Sequence, residues 1–389
     1  MDDGVENDDE LVETIYQGEI IPTLGSRTRT EFRPWHKPRK HYVRLNQWCH
    51  ETRRLIKRLN LGTGTELRYL GLPGEDLLDI RVLKGVCQRA SIDLRYLGFD
   101  SSMTSAQLNL SRHEVNSDKF IHPSSIVIAD RLETLATRET IAFNYVERHA
   151  PFDIINLDLC DSVTETNAQG ARPYFEAIRT LCDVQIQRRG QPWLLFLTTR
   201  ALRDSLDGPT RQRLFQRLLQ NIEENTAFSD SLSTTLQLNE TAIKAECHVG
   251  GTLDASKWLQ AFVLALSKWL LHYMMQKEYR VVVRLLPSYA YSVQHGKRDL
   301  ASLAFLFEPT ALQREDDSGL TRSRSLPTPA ESEMSLAKEL IAQVAAMDDI
   351  DDLFAANKKL KMQMFTKSVS LLAPLRYDMA AFKTFAFED

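Results

Sequence analysis

Three groups of residues in this chain have types and spacings suited to chemistry. The stretch GLPG sets Gly71 and Gly74 after the apolar run LRYL and before the acidic residues Glu75, Asp76 and Asp79. That is the outline of a nucleotide-binding turn with a piece missing, since a full G-x-G-x-x-G is absent; a lone G-x-x-G equally suits a plain strand-to-helix turn. Further on, DIINLDLCDS carries Asp158, Cys160 and Asp161 off the end of a hydrophobic run. A carboxylate there can orient or deprotonate a nucleophile. Cys160 is a candidate nucleophile, yet no partner base is identifiable and a buried apolar cysteine is the commoner case. Asn156 and Asp158 alternate with Leu157 and Leu159, giving this strand a polar face that core packing alone does not explain.

The third group is basic. Eleven Lys and Arg residues lie between Arg27 and Arg58 against only Glu31 and Glu51, with Phe32, Trp35 and Tyr42 interleaved. Cations neutralise phosphates and aromatic rings stack on bases, so Arg33, Lys37, Arg39 and Lys40 are candidate nucleic-acid contacts. The competing reading is an arm fixed by Pro34 and Pro38, with its aromatics packed on the domain and its cations solvated or paired internally. The sequence pI of about 6.2 favours that second reading slightly.

Positioning such residues takes a folded scaffold, and the composition supplies one. With 389 residues, 43% hydrophobic and 26% charged, and a net charge of -4, the chain is long enough for one large domain with additions or for two domains. The five cysteines are scattered without C-x-x-C or His/Cys spacing, so neither a zinc site nor a disulfide framework is indicated. The acidic start MDDGVENDDELVE has no signal-peptide pattern, and a cytoplasmic location is expected. The most apolar stretch, residues 258–275, is interrupted by Gln260, Lys268 and His272 and reads as a buried helix, so no membrane role is expected.

Strand-like runs at 67–71, 93–99, 125–129, 153–159 and 193–198 alternate with segments of helical spacing, which predicts βαβ units in a parallel α/β sheet. Leu78, Val82 and Val86 mark the first helix, and Phe175, Ile178, Cys182 and Ile186 the fourth. After a helical insertion over 201–278, the runs 279–293 and 300–309 are joined by the polar QHGKRD, which suits a hairpin. Residues 311–335 have linker composition, followed by helical patterns near 336–347 and 350–364 and an aromatic C-terminus. No internal repeat is found.

Five alternating units closed by an antiparallel pair resemble the class I S-adenosylmethionine-dependent methyltransferases, over about residues 45–310. The resemblance implies an α/β fold: a seven-stranded, mostly parallel, doubly wound sheet with a terminal antiparallel hairpin. The domain order is then an acidic-then-basic arm (1–44), the α/β domain (45–310), a linker (311–335) and a helical extension (336–389). The resemblance further implies S-adenosylmethionine as cofactor. Gly71 and Gly74 would lie against its methionine part, Asp100 of RYLGFD on the ribose hydroxyls, and Asp130 of IVIADRLETL on the adenine amino group, beside Leu132 and Leu135. Both acids also suit helix caps.

Asp158, Cys160 and Asp161 then fall where that family does its chemistry. The acidic residue usual before the first glycine is replaced by Arg68, Tyr69 and Leu70, Pro73 removes a donor, and the Asn-Pro-Pro-Tyr and Pro-Cys signatures are missing. The expected function is methyl transfer to an unknown acceptor, with nucleic acid suggested by the arm. The alternative is a catalytically inactive relative serving in protein interaction or nucleic-acid binding. A nicotinamide-dependent oxidoreductase would need G-x-G-x-x-G and leaves the final hairpin unexplained.

Overall fold

A computed structural model of the chain describes residues 28–101, 106–159, 161–167, 170–247, 251–276, 281–292, 298–310 and 331–387. Nine strands form among these residues: β1 (Glu66–Gly71), β2 (Asp93–Phe99), β3 (Ile126–Ile128), β4 (Ile154–Asp158), β5 (Trp193–Arg200), β6 (Val281–Leu285), β7 (Tyr289–Tyr291), β8 (Leu300–Pro309) and β9 (Asp348–Asp349). The architecture is α/β, with most strand pairs parallel. The chain divides into two compact units, one of Met1–Arg131, Tyr289–Lys297 and Asp348–Asp389, the other of Leu132–Ser288 and Arg298–Met347.

In the first unit β1, β2 and β3 pair in parallel in the order 3-2-1. Parallel pairing requires a crossover, and the helix Leu78–Ala90 supplies it, burying Leu78, Ile80, Val82, Leu83 and Val86. A motif too short to register as a repeat in the sequence pairs with itself. Leu67–Gly71 and Leu94–Gly98 both read LRYLG and lie residue for residue opposite each other. The pairing sets Arg68 against Arg95, which repel, and Glu66 reaches both guanidinium groups, at 2.7 and 3.4 Å. Tyr69 and Tyr96, also opposite, donate to Asp79 and Asn116 and so keep their buried hydroxyls satisfied.

The basic segment of the sequence is helical from Pro38 to Leu59, widening to π geometry over Arg44–Cys49. It belongs to the same unit as the C-terminal helices Ile350–Ala356, Lys358–Leu372 and Met379–Phe387. Helix Pro38–Val43 packs on Lys358–Leu372.

In the second unit β5 lies between parallel β4 and antiparallel β8, and β6 pairs antiparallel with β8, an order of 4-5-8-6. β4 and β5 are buried along almost their whole length, which explains why they read as continuous apolar runs. Trp193 and Phe307 face each other across β5 and β8 and stack at 3.7 Å. The helix Ala255–Met275 is capped by Asp254, which accepts from Lys257 N–H, and its Trp258 indole donates to the Ala201 carbonyl. Its buried Lys268 is paired with Glu333 at the start of helix Glu333–Ala345. Among the described residues no helix is long and apolar enough to cross a membrane.

The seven-strand expectation is corrected to nine strands. The run 279–293 breaks at Leu286-Pro287-Ser288, where proline offers no N–H and fixes its own φ. The part before the break is β6, which pairs antiparallel with β8. The part after it is β7, which pairs in parallel with the two-residue β9, a strand without any apolar pattern. Most of QHGKRD lies outside the described residues, as does 311–330 of the expected linker; the helix Glu333–Ala345 starts within that linker's last residues.

Candidate functional site

The carboxyl ends of β1, β2 and β3 carry the glycines and acids singled out above. Gly71 and Gly98 are paired at the ends of β1 and β2. Two residues beyond each of Gly98 and Ile128, the backbone amides of Asp100 and Asp130 both donate to one acceptor, the Ile128 carbonyl, at 3.1 and 2.9 Å. Asp100 and Asp130 are therefore brought together, on the edge of a parallel sheet where α/β folds hold ligands. Both side chains are half-buried, and Asp130 also accepts from the Arg131 amide at 2.7 Å, a bond to its immediate neighbour.

The GLPG turn is filled by its own neighbours. A Cβ at Gly71 would fall 2.4 Å from the Tyr69 hydroxyl, and one at Gly98 2.9 Å from Pro73 Cγ. Glycine is thus required at both strand ends because the chain itself occupies the adjacent space. Gly74 is a glycine for a different reason: its φ of +61° is left-handed and open space surrounds it. Leu77, three residues on, also has a positive φ, +50°, a conformation costly for a residue with a Cβ. The helix starts directly after this strained leucine.

The acids of this turn have partners the sequence did not reveal. Asp76, one of the acids that follow GLPG, lies before the helix and is 2% exposed. One of its oxygens accepts from Arg29 Nη1 at 2.5 Å; the other accepts from His36 Nε2 at 3.2 Å and the Tyr377 hydroxyl at 2.8 Å. Burial alone would raise the Asp76 carboxyl, but the bonds from His36, Arg29 and Tyr377 together with the Arg29 charge outweigh it and hold the group at about 2. His36 is pulled below its ordinary value by burial, so its imidazole is neutral at pH 7. Its Nδ1 accepts from the Arg33 amide at 3.1 Å and its Nε2–H donates to Asp76, leaving neither nitrogen for acid–base work. Burial and the Asp76 carboxylate push the Tyr377 phenol upward, so it remains a donor. Asp79 is engaged by Tyr69 at 3.0 Å. Residues 29–36, the β1 turn and Tyr377 thus form one clasp, extended by backbone bonds from Arg29 to Arg376 and from Asp378 to Arg29. Only pairwise spacing in space defines it; Asp76 and Tyr377 are 301 positions apart.

Of the basic candidates, Lys40 is 3% exposed with its ammonium 4.5 Å from the Trp48 ring centroid, and Arg39 is ion-paired with Asp351. Lys37 is half-buried, its Nζ 5.1 Å over the Phe385 ring. Arg33 is the most open of the four, with 56% of its side chain exposed.

In the second unit Asp158 ends β4 in register with Thr198, and Asp161 follows in a turn whose backbone carbonyl accepts from the Arg200 amide at 3.3 Å. Cys160, between them, lies outside the described residues. Asn156 is fully buried, so its place on the polar face of β4 is an interior one, whereas Asp158 is half-buried. The Val163 amide donates to Thr199 Oγ1 and the hydroxyls of Ser162 and Thr164 bond each other at 2.7 Å, which fixes the loop after β4 from within. Among the described residues no cluster of His, Cys, Asp and Glu is arranged to hold a metal ion.

These features describe an α/β protein with mostly parallel strands and candidate residues at strand ends. The sequence model of the family described as PP_RS20740-like matches residues 29–387, and the chain belongs to that family. No curated protein matches it.

Proposed function

We propose that the protein binds S-adenosylmethionine at the carboxyl ends of β1, β2 and β3 and is a methyltransferase of the class I type. The observation that carries this reading is the convergence of the Asp100 and Asp130 backbone amides on the Ile128 carbonyl, beyond the paired Gly71 and Gly98 at the strand ends. Asp100 would accept from both ribose hydroxyls, and Asp130 from the adenine amino group. The parallel order 3-2-1 within the first unit supports it. Asp158 and Asp161, with Cys160, are the residues proposed for the transfer step, to an acceptor whose class the basic arm suggests is nucleic acid.

A second reading is favoured by one observation: Tyr69 and Pro73 occupy the space beside Gly71 and Gly98, and Asp76 and Asp79 are committed to internal partners. On that reading the turn is a structural clasp and the protein is a non-catalytic relative. Calorimetric titration with S-adenosylmethionine and S-adenosylhomocysteine decides between them. The first reading expects binding, and Asp100→Ala should weaken it about tenfold or more, the loss of charge-assisted hydrogen bonds worth about 1.5–3 kcal/mol each. No heat of binding at millimolar ligand would leave only the second reading.

A further inference from the structure

Independently of any cofactor, we propose that the acidic segment 1–13 of this chain docks on the basic face of helix His50–Leu59 and covers it against other polyanions. The helix turns Glu51, Thr52, Leu55 and Ile56 inward and packs on helix Leu78–Ala90 of the same unit. Its opposite face carries Arg53, Arg54, Lys57 and Arg58, of which the last three are exposed and Arg53 is half-buried. Arg53 and Lys57 are four positions apart, as are Arg54 and Arg58, and Arg54 and Lys57 are three apart, so the neighbours on this face carry like charges and repel. The helix dipole offsets this for Lys57 and Arg58, in the last turn, and not for the arginines before them. Glu51, the one acid of the helix, is 3% exposed, and its Oε1 is shared by His50 Nδ1 at 3.0 Å and Arg54 Nη1 at 3.5 Å. The face therefore favours an anionic cover.

Charge and reach select the occupant. Residues 1–13 carry seven Asp and Glu, and no Lys or Arg precedes Arg27. The described chain begins at Thr28, and Arg29 is anchored to Glu75 and Asp76 in the unit that holds the basic helix. The 14 residues from 14 to 27 span up to about 46 Å when extended. That matches the breadth of a compact unit of about 180 residues, whose radius of gyration is about 16 Å. A tethered segment acts at millimolar effective concentration, which a free polyanion must exceed to displace it. The face itself is made of cations, with no ring among them on which a base could stack, so it has no feature that prefers nucleic acid to carboxylates.

The test is zero-length cross-linking of the full chain with a carbodiimide, which joins lysine amines to carboxylates, followed by trypsin and mass spectrometry. Residues 1–27 leave trypsin as one peptide, since Arg27 is the first basic residue. Lys57 should be joined to that peptide at low salt. The product should fall about tenfold or more in 0.5 M potassium chloride, where the Debye length is about 4 Å, and Arg54→Gln, which leaves Lys57 in place, should also lower it. An equal mixture of unlabelled and nitrogen-15 protein should give only products within one chain. Neutralising the acids with Asp8→Asn, Asp9→Asn and Glu10→Gln should remove most of the product and lengthen retention on heparin, and adding Arg54→Gln and Lys57→Gln should cancel that gain. Both sets of substitutions lie outside the core, so the chain should stay folded and a thermal melt verifies it. Absence of the Lys57 product at low salt, a yield indifferent to salt, mixed-label products, or a heparin gain that survives Arg54→Gln and Lys57→Gln would each overturn the proposal. So would a native chain whose retention already depends on Arg54 and Lys57, since the face would then be open to nucleic acid.

Discussion

Asp76→Ala should destabilise the first unit more than any single hydrogen bond accounts for. The carboxylate accepts from Arg29, His36 and Tyr377 within a clasp where it is almost wholly buried. Removing it leaves the Arg29 guanidinium with Glu75, at 3.1 Å, and the Tyr377 ring beneath it, and leaves two buried donors without their carboxylate acceptor. The carboxyl's displacement from 3.8 to about 2 corresponds to roughly 2 kcal/mol of preference for the folded state. Orphaning the buried partners adds to this, for a total of about 3–5 kcal/mol, the usual range for breaking a buried charge pair. Tyr377→Phe deletes one donor and leaves the other two, so it should cost only about 1–2 kcal/mol. Urea denaturation followed by circular dichroism measures both, and at an m-value of about 3 kcal/mol/M the alanine variant's midpoint should fall by about 1 M or more. Equal, sub-kilocalorie losses for the two variants would refute the clasp. The carboxyl's contribution has a defined window too: its folded value is depressed, so it is intact above pH 3.8 and vanishes as pH falls through about 2.

Milder acid should act through two histidines. Burial lowers His36 despite Asp76, and burial with the charges of Arg44 and Lys367 lowers His41 further. The unfolded chain takes up protons near 6.5 that the folded one refuses, so stability should be complete above that pH and fall below it. Each histidine accounts for up to about 1.4 kcal/mol per pH unit, and urea midpoints that stay flat between pH 7.5 and 5 would contradict this. Gly98→Ala should cost about 1–3 kcal/mol through collision with Pro73, and adding Pro73→Ala should recover part of the loss; strictly additive thermal shifts would show that the two do not touch. Glu333→Gln should leave the buried Lys268 ammonium and His272 without their carboxylate and cost about 2 kcal/mol, a loss that a thermal melt would reveal and an unshifted Tm would deny.

The sequence by itself determined the strands of the α/β core. β1, β2, β4 and β5 fall where the strand-like runs lie; β4 and β5, buried on almost their whole length, are the continuously apolar ones, because a strand buried on both faces must be apolar, and that is a local property of composition. The helix Leu78–Ala90 is equally legible in its periodicity. Asp100 and Asp130 were singled out through the family resemblance, and the structure brings their backbone amides to one acceptor, the Ile128 carbonyl. What only the tertiary structure decided are the contacts between residues far apart in the chain. Nothing near Asp76 announces Tyr377, and nothing in PRKHYV distinguishes Arg39, which meets Asp351, from Lys37, which lies over Phe385. β9 is two aspartates, without any pattern a strand could be read from, and exists because β7 offers it an edge. The glycines at 71 and 74 read as openings for a ligand, yet the atoms nearest a Cβ at 71 belong to Tyr69, and at the paired Gly98 they belong to Pro73. Whether a glycine clears space for a guest or for a neighbour depends on where side chains come to rest, and that is settled by packing rather than by spacing along the chain.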